Sequence, residues 1–295
     1  MKPELAASLK AEELDAHEVG RLVEIALDED LRYGSDVTTE ATIRAERVAA
    51  ADLVAREAGV VCGVNVARVV LEAVGFPLAG VRASRRDADL VDSGDVILST
   101  SGPLRALLVA ERTMLNFMTH LSGVATATNA WVRAIDGTGC QVRDTRKTLP
   151  GLRQLEKYAV RCGGGVNHRM GLGDVALIKD NHVAATGSIA SAVADVRRAR
   201  PDIVLEVECD TLDQVREALG VGCALILLDN MEIEVIQRAV HLAAVSPAVK
   251  LEASGGITLD NVRAIAETGV DYVAVGALTH SARVLDLGLD LREGA

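Results

Sequence analysis

The chain reads as an α/β protein, with a mixed N-terminal part of α+β sandwich type followed by a regular run of βα units. Three observations carry this. After Cys140, six short aliphatic or β-branched runs recur with helical patterns between them, the signature of a parallel sheet. Before Cys140, strands are interleaved with few helices. No G-x-G-x-x-G follows the first strand of the regular part, which disfavours an open dinucleotide-binding sheet. Six units in succession favour a closed or nearly closed barrel.

In the first part, His17 to Leu31 has helical periodicity, with Val19, Leu22, Val23, Ala26 and Leu27 on one face. Arg47 to Val54 reads as a strand, and Gly59 and Gly63 mark turns. Asn65 to Val74 reads as a helix ended by Gly75 and Pro77. Asp95 to Thr100 is a second strand. Pro103 opens a helix through Leu115, and a separate helical stretch runs to about Ile135. The domains are expected at 1–119 and 120–295. Strands follow at Cys140–Arg143, Val175–Ile178, Ile203–Val207, Ala224–Leu228, Val249–Leu251 and Asp271–Val275. Between them lie helical patterns at Leu152–Val160, Ile189–Arg200, Leu212–Leu219, Glu232–Ala244 and Leu259–Thr268.

Composition narrows the function. With 295 residues and 49% apolar content the chain buries a large core without disulfides. Aromatics are only 2%, which weakens base-stacking on single-stranded nucleic acid. Thirty-one basic against 42 acidic residues give a net charge of −11, a poor field for nucleic acid or anionic membranes. The longest stretch without Asp, Glu, Lys or Arg, Thr113 to Val132, is broken by Thr, Asn, His and Ser and reads as buried helix. No basic, apolar signal segment is expected. Five cysteines with no C-x-x-C pair read as reduced, buried thiols of a cytoplasmic protein. No His/Cys spacing suits structural zinc.

Charge is unevenly placed. Arg143 to Lys179 holds eight basic and three acidic residues, a net of +5 that leaves −16 for the remainder. Such an island focuses a field on a small, highly charged anion. Arg153 and Lys157, four apart with Glu156 beside them, fit a solvated helix face instead. Arg146, Lys147, Arg169 and Lys179 do not.

Each barrel strand ends in polar residues: Asp144 to Lys147, Lys179 to His182, Glu206 and Glu208 with Asp210, Asp229-Asn230, Glu252 with Ser254-Gly255-Gly256, and Gly276 to Thr279. In a βα barrel these ends form the active-site rim. Ser254-Gly255-Gly256 before a helix from about Thr258, completed by Gly276, reads as a phosphate cradle. The competing reading is a tight turn. Glu208 and Asp229 bind Mg²⁺ through water or hold ribose hydroxyls; structural pairing with Lys179 or Lys147 is the alternative. Glu206 and Glu252 face inward as further partners for the lysines. Gly163 to Arg169 is a glycine-rich loop carrying His168 and Arg169, read as anion-binding. The sum is a phosphate site, a diol or Mg²⁺ site and surplus cations.

Several strings together resemble the quinolinate phosphoribosyltransferase family. They are Asp28-Glu29-Asp30-Leu31-Arg32-Tyr33-Gly34 with Asp36-Val37-Thr38-Thr39, Glu111-Arg112-Thr113-Met114-Leu115-Asn116, and Arg143-Asp144-Thr145-Arg146-Lys147-Thr148-Leu149-Pro150-Gly151. Gly163 to Arg169, Leu177-Ile178-Lys179-Asp180-Asn181-His182, Glu206-Val207-Glu208, Leu228-Asp229-Asn230 and Glu252-Ala253-Ser254-Gly255-Gly256 complete the set.

The resemblance implies a sandwich plus an incomplete α/β barrel of six to seven strands, of type II phosphoribosyltransferase form. The tail, about 283–295, would pack back on the first domain. It implies a Mg²⁺-dependent reaction of quinolinate with phosphoribosyl pyrophosphate (PRPP). Arg146, His168, Arg169 and Lys179 would hold quinolinate, joined by Arg112 from the second subunit of a homodimer. Lys147, Glu208, Asp229, Ser254, Gly255, Gly256 and Gly276 would hold PRPP. Lys147, Lys179, Glu208 and Asp229 would be the catalytic set, with Glu208 and Asp229 nearest the metal. Two rivals remain: a Schiff-base aldolase using Lys179, and a non-catalytic sugar-phosphate sensor.

Overall fold

In a computed structural model of the chain, residues 1–292 are described. The chain forms two compact units. The first comprises Met1–Asn129, Leu149–Gly164 and Ser281–Ala295; the second comprises Ala130–Thr148 and Gly165–His280.

The first unit opens with helices α1 (Pro3–Ala11), α2 (Ala16–Leu31) and α3 (Val37–Thr42). Asp15 caps α2 by accepting from the His17 and Glu18 amides, and Asp36 caps α3 by accepting from the Thr39 amide. Next come β1 (Val48–Ala55), β2 (Gly59–Val60), α4 (Val64–Ala73), β3 (Val81–Ala83), β4 (Leu90–Val91) and β5 (Val96–Pro103). Strands β1 and β5 and helices α2 and α4 match the expected positions to within a few residues; α1, α3, β2, β3 and β4 were not foreseen, Gly59 having been read as a turn.

Pro103 closes β5, and one unbroken helix, α5 (Leu104–Ala134), replaces the two helical stretches expected. The anticipated boundary at residue 119 falls inside this helix. Residues 120–129 and 149–164 belong to the first unit. Local periodicity cannot distinguish two consecutive helices from one when no Gly or Pro punctuates the junction.

The second unit carries β6 (Gln141–Arg143), followed by α6 (Arg153–Cys162), which returns to the first unit. Then come β7 (Val175–Ile178), α7 (Asp180–Thr186), α8 (Ile189–Ala199), β8 (Val204–Cys209), α9 (Leu212–Gly220), β9 (Leu225–Asp229), α10 (Ile233–Ala243), β10 (Lys250–Ser254), α11 (Val262–Ala266), β11 (Tyr272–Ala274) and α12 (Ala277–His280). The six strands form one parallel sheet in the order β6-β11-β10-β9-β8-β7. Consecutive strands β6 and β7 are thus its two edges, and the α/β barrel is left incomplete between them. Strand β9 is buried from Leu225 to Leu228, as expected for a strand covered on both faces.

The tail forms β12 (Leu287–Leu291), antiparallel to β1 with Ala51 opposite Leu291. It completes a four-stranded sheet ordered β12-β1-β5-β3 within the first unit. The expected tail also includes residues 293–295, which lie outside the described residues. Among the described residues no helix is long and apolar enough to cross a membrane.

Helix α6 overturns one expectation. Glu156 and Lys157, assigned to a solvated face, are fully buried. His120 Nε2 lies 2.9 Å from Glu156 Oε1, and the Leu149 amide donates to Glu156 Oε2 at 3.0 Å. An i,i+4 charge pattern looks the same whether its partners are water or another element.

Candidate active site

A cleft of about 660 Å³ opens at the C-terminal ends of the second unit's strands. Its lining comes from the ends of five of them and the loops that follow: Thr145, Arg146 and Lys147 after β6; Lys179 after β7; Glu208 on β8; Asp229 and Asn230 at the end of β9; Ser254, Gly255 and Gly256 at the end of β10. His168 and Arg169, from the segment before β7, also line it, with Leu177, Leu227, Glu252 and Ala274 below. The +5 segment therefore delivers its cations from the loops flanking both edge strands, while the middle strands supply carboxylates and glycines.

The cations are crowded. The Arg169 guanidinium is held below its ordinary value by burial first and by the like charge of Arg146 next. Its Nη1 donates to the Val175 carbonyl at 3.1 Å, which fixes its direction. Lys179 caps α7 and its Nζ is paired with Glu208 Oε2. His182 Nδ1 accepts from the Lys179 amide at 3.0 Å. Lys147 is exposed, its amide donating to Thr145 Oγ1 at 3.0 Å while its carbonyl accepts from Thr279 Oγ1 at 2.9 Å.

Glu206 and Glu208 alternate along β8, so both point to the same face, one pleat apart. Nearest the strand ends stand Glu208, Asp229 and Ser254, with Ser254 in register with Asp229. The inner row is Glu206 and Glu252, both fully buried. Glu206 and Glu252 were expected to pair with lysines, and here the structure differs. Arg143 Nη1 donates to Glu252 Oε2 at 2.7 Å, and His168 Nε2 lies 3.1 Å from Glu206 Oε2 and 3.5 Å from Glu252 Oε1. Arg143 also stacks over Tyr272, 4.6 Å from the ring centroid. Lys179 is taken up by Glu208 at the rim, and it is Arg143, the last residue of β6, that reaches Glu252.

Burial, then Glu206, pushes the Glu252 carboxyl up to about 7, while His168 and Arg143 pull it back. His168 Nδ1 accepts from the Arg169 amide at 2.7 Å, so the neutral ring carries its proton on Nε2, toward the two glutamates. Its own amide donates to Asp144 Oδ1 at 2.8 Å, and Asn167 Nδ2 donates to Asp144 Oδ2 at 2.6 Å. The glycine-rich loop is thus tied to buried Asp144, and His168 joins the inner carboxylates to the backbone that aims Arg169. Sequence reasoning counted Arg143 in the basic segment and Asp144 on the rim but gave neither of them, nor Asn167, a partner or a specific role. The signal was present in Arg143, a charged residue inside a strand of period two.

Gly255 and Gly256 have φ of +88° and +62°. A Cβ on Gly255 would lie 2.2 Å from Asn230 Oδ1. Asn230, itself at φ +51°, donates from its backbone to the Ser254 carbonyl at 2.8 Å and from Nδ2 to Asp229 Oδ2 at 2.8 Å. The loop is therefore stitched to the end of β9. The helix expected from Thr258 is only α11 and begins at Val262, because Asn261 Oδ1 accepts from the Thr258 amide and holds a turn first. An anion here would meet glycine amides without a helix terminus. Gly276 does not line the cleft; a Cβ there would lie 3.0 Å from Lys147 Cδ, so its smallness makes room for that side chain. Arg112 is exposed on α5, in the first unit, and the cleft lining comes from the second unit alone.

In the cleft, two sets of residues could hold a metal ion. Glu208 and Asp229 are half-buried carboxylates on adjacent strands, the oxygen-only donors that suit Mg²⁺ with several retained waters. Beneath them, donor atoms of His168, Glu206 and Glu252 lie within 4.8 Å of one another.

Comparisons with known proteins agree along the chain. Residues 36–122 match the quinolinate phosphoribosyl transferase N-terminal domain, and residues 124–290 match the C-terminal domain. The carboxylating nicotinate-nucleotide pyrophosphorylase of Mycobacterium leprae is 55% identical over 269 residues, covering 90% of this chain and 94% of that one. A probable enzyme of the same name from Bacillus subtilis is 44% identical, covering 89% and 90%. Among solved structures, NadC from Streptococcus pyogenes superposes with a TM-score of 0.88 at 39% identity, covering 95% of this chain and 99% of that one. The nicotinate-nucleotide pyrophosphorylase from Francisella tularensis gives 0.86 at 38%, covering 94% and 96%. With both domains matched in order and more than half the residues shared with one relative, the chain belongs to the quinolinate phosphoribosyl transferase family.

Proposed function

We propose that this chain joins quinolinate to PRPP and releases nicotinate mononucleotide, CO₂ and pyrophosphate, the carboxylating nicotinate-nucleotide pyrophosphorylase reaction of NAD biosynthesis. The observation that carries the reading is the forced proximity of Arg146 and Arg169 in a cleft that also holds Lys147 and Lys179. Like charges held together with partial burial call for a multiply charged anion, and guanidinium forks bind carboxylates bidentately. Quinolinate has two carboxylates.

Arg146, Arg169 and Lys179 orient the acid so that its ring nitrogen faces the anomeric carbon. His168 acts on it through the Arg169 backbone. Gly255 and Gly256, with Ser254, receive the 5′-phosphate on their amides. Glu208 and Asp229 accept from the ribose hydroxyls and stabilise the positive charge that grows on the sugar as the bond to pyrophosphate breaks and the C–N bond forms. Lys147 neutralises the departing pyrophosphate. Mg²⁺ bound with PRPP near Glu208 and Asp229 would supply further charge neutralisation. The positive pyridinium nitrogen then stabilises the electron pair that stays on C2 when CO₂ departs, and that pair takes a proton from water. Catalysis is positioning and charge stabilisation.

We place Arg112 in the cleft of a second subunit, making the enzyme a homodimer with shared sites. Five free cysteines support a reducing, cytoplasmic setting. The pairing of Lys179 with Glu208 speaks against the aldolase rival, since a Schiff-base lysine must be neutral to attack. The test is pyrophosphate and CO₂ release from PRPP and Mg²⁺ with quinolinate against nicotinate. Turnover of quinolinate with little or none of nicotinate is expected; comparable rates on both acids would defeat the reading, and PRPP binding without turnover would favour the sensor.

A further inference from the structure

A second group of chemistry-bearing side chains lies wholly in the first unit and takes no part in the reaction above. Cys62, just before α4, and Cys162, the last residue of α6, bring their thiols into contact across 100 positions of sequence. Asp87 joins them: one sulfur of each cysteine and a carboxylate oxygen of Asp87 all lie within 4.8 Å of one another. Cys62 is buried, while Asp87 and Cys162 are half-buried, which leaves a way in from solvent.

The surroundings are organised as an outer shell. The Tyr158 hydroxyl donates to Asp87 Oδ2 at 2.7 Å, and the Val64 amide donates to Oδ1 at 2.9 Å. These donors hold the carboxylate in one orientation, as the partners of a metal-binding carboxylate do. Glu12 is beside the group. Asn65 Nδ2 donates to its Oε1 at 2.6 Å, while Oε2 is buried with no hydrogen-bond partner among the described residues. Burial, then Asp87, raises the Glu12 carboxyl to about 7.

The backbone is strained here as well. Among described residues, three other than glycine have positive φ: Glu13 at +59°, Ala88 at +73° and Asn230 at +51°. Asn230 adjoins Asp229 of the cleft. The other two adjoin Glu12 and Asp87. Strain of this kind persists where the surrounding structure over-determines a site.

We propose that Cys62, Cys162 and Asp87 form a binding site for a thiophilic divalent cation of the Zn²⁺ class, with Glu12 Oε2 or a water in the fourth position. Tetrahedral zinc with bonds of about 2.3 Å to sulfur and 2.0 Å to oxygen places its donors about 3.5–3.8 Å apart, within the span found. Two thiolates and two oxygens select zinc over Mg²⁺, which takes oxygen alone. The cation displaces both thiol protons to bulk water, and its charge offsets the Cys62 thiolate, which burial otherwise disfavours. The site joins the end of α6 to the start of α4 and to the turn before β4.

The site shares no residue with the cleft, so its failure and the failure of the proposed reaction are separable. The probe is Co²⁺, which reports thiolate ligation through sulfur-to-metal charge-transfer absorption. Reduced, chelator-treated full-length protein should bind one Co²⁺ per chain with that absorption, and Zn²⁺ should displace it. Cys162→Ser should abolish the band, and Tyr158→Phe should weaken Co²⁺ binding by roughly tenfold. Pyrophosphate release in Mg²⁺ should be unchanged in Cys162→Ser, showing that it is folded. On the unaltered protein, Zn²⁺ should slow alkylation of Cys162 by iodoacetamide, a readout that stands even if the variants do not fold. Absence of the band, its persistence in Cys162→Ser, or alkylation of Cys162 indifferent to Zn²⁺ would each overturn the proposal.

Discussion

Exchanging each glycine of the Ser254-Gly255-Gly256 loop for alanine separates backbone strain from side-chain collision. Both have positive φ, and an alanine held in the left-handed region costs roughly 1–2 kcal/mol. For Gly256→Ala that is the whole expected cost, since nothing lies within 4 Å of a Cβ there. Gly255→Ala adds a methyl 2.2 Å from Asn230 Oδ1. Either the loop shifts, at roughly 1–3 kcal/mol for overpacking, or Asn230 rotates away and gives up its 2.8 Å bond to Asp229, worth about 1 kcal/mol.

Gly255→Ala should therefore be less stable than Gly256→Ala by about 1–3 kcal/mol, the span of those two routes. It should also raise the KM for PRPP more, because Asp229 loses its support. Adding Asn230→Ala to each variant closes a double-mutant cycle. The second substitution should relieve part of the Gly255→Ala penalty and none of the Gly256→Ala penalty. Urea denaturation and initial rates at varied PRPP read both quantities. Equal costs for the two glycines, or no relief from Asn230→Ala, would refute the argument that Asn230 is what demands glycine at 255.

Three further outcomes are expected. Glu208→Ala and Asp229→Ala should impair PRPP use far more than quinolinate binding; normal PRPP binding with lost quinolinate binding in either variant would reverse the assigned roles. The Glu252 carboxyl, pushed up to about 7 from 4.5 by burial, favours its protonated form in the fold. Its contribution to stability is thus present below pH 4.5 and lost as pH rises through 7, a difference of roughly 3 kcal/mol. Glu252→Gln should flatten the pH dependence of the urea midpoint across that window, and an unaltered slope would remove Glu252 as its source. Arg112→Ala and Lys147→Ala should each be nearly inactive alone. Co-refolded in equal amounts they should recover about a quarter of the activity, since half the dimers are mixed and each has one intact site. Exchange of subunits with no recovery would place Arg112 in its own chain's site.

The alternation of strands and helices after Cys140 was legible because side-chain period and turn chemistry are local properties. So was the placement of Lys147, Lys179, Glu208 and Asp229 on one rim, since every parallel strand of a βα barrel ends on the same side. What the residues touch was decided elsewhere. Glu206 and Glu252 could be read as inward-facing from their period of two, yet their partners, His168 and Arg143, come from segments brought alongside only by the strand order. Glu156 and Lys157 carry the pattern of a surface helix and are buried because α6 leaves the barrel and returns to the first unit. The meeting of Cys62 with Cys162 has no trace in local sequence. The amino-acid sequence by itself determined which groups stand at strand ends. Tertiary packing alone decided which of them are desolvated and paired, because burial depends on what the fold lays over a residue and not on its neighbours in the chain.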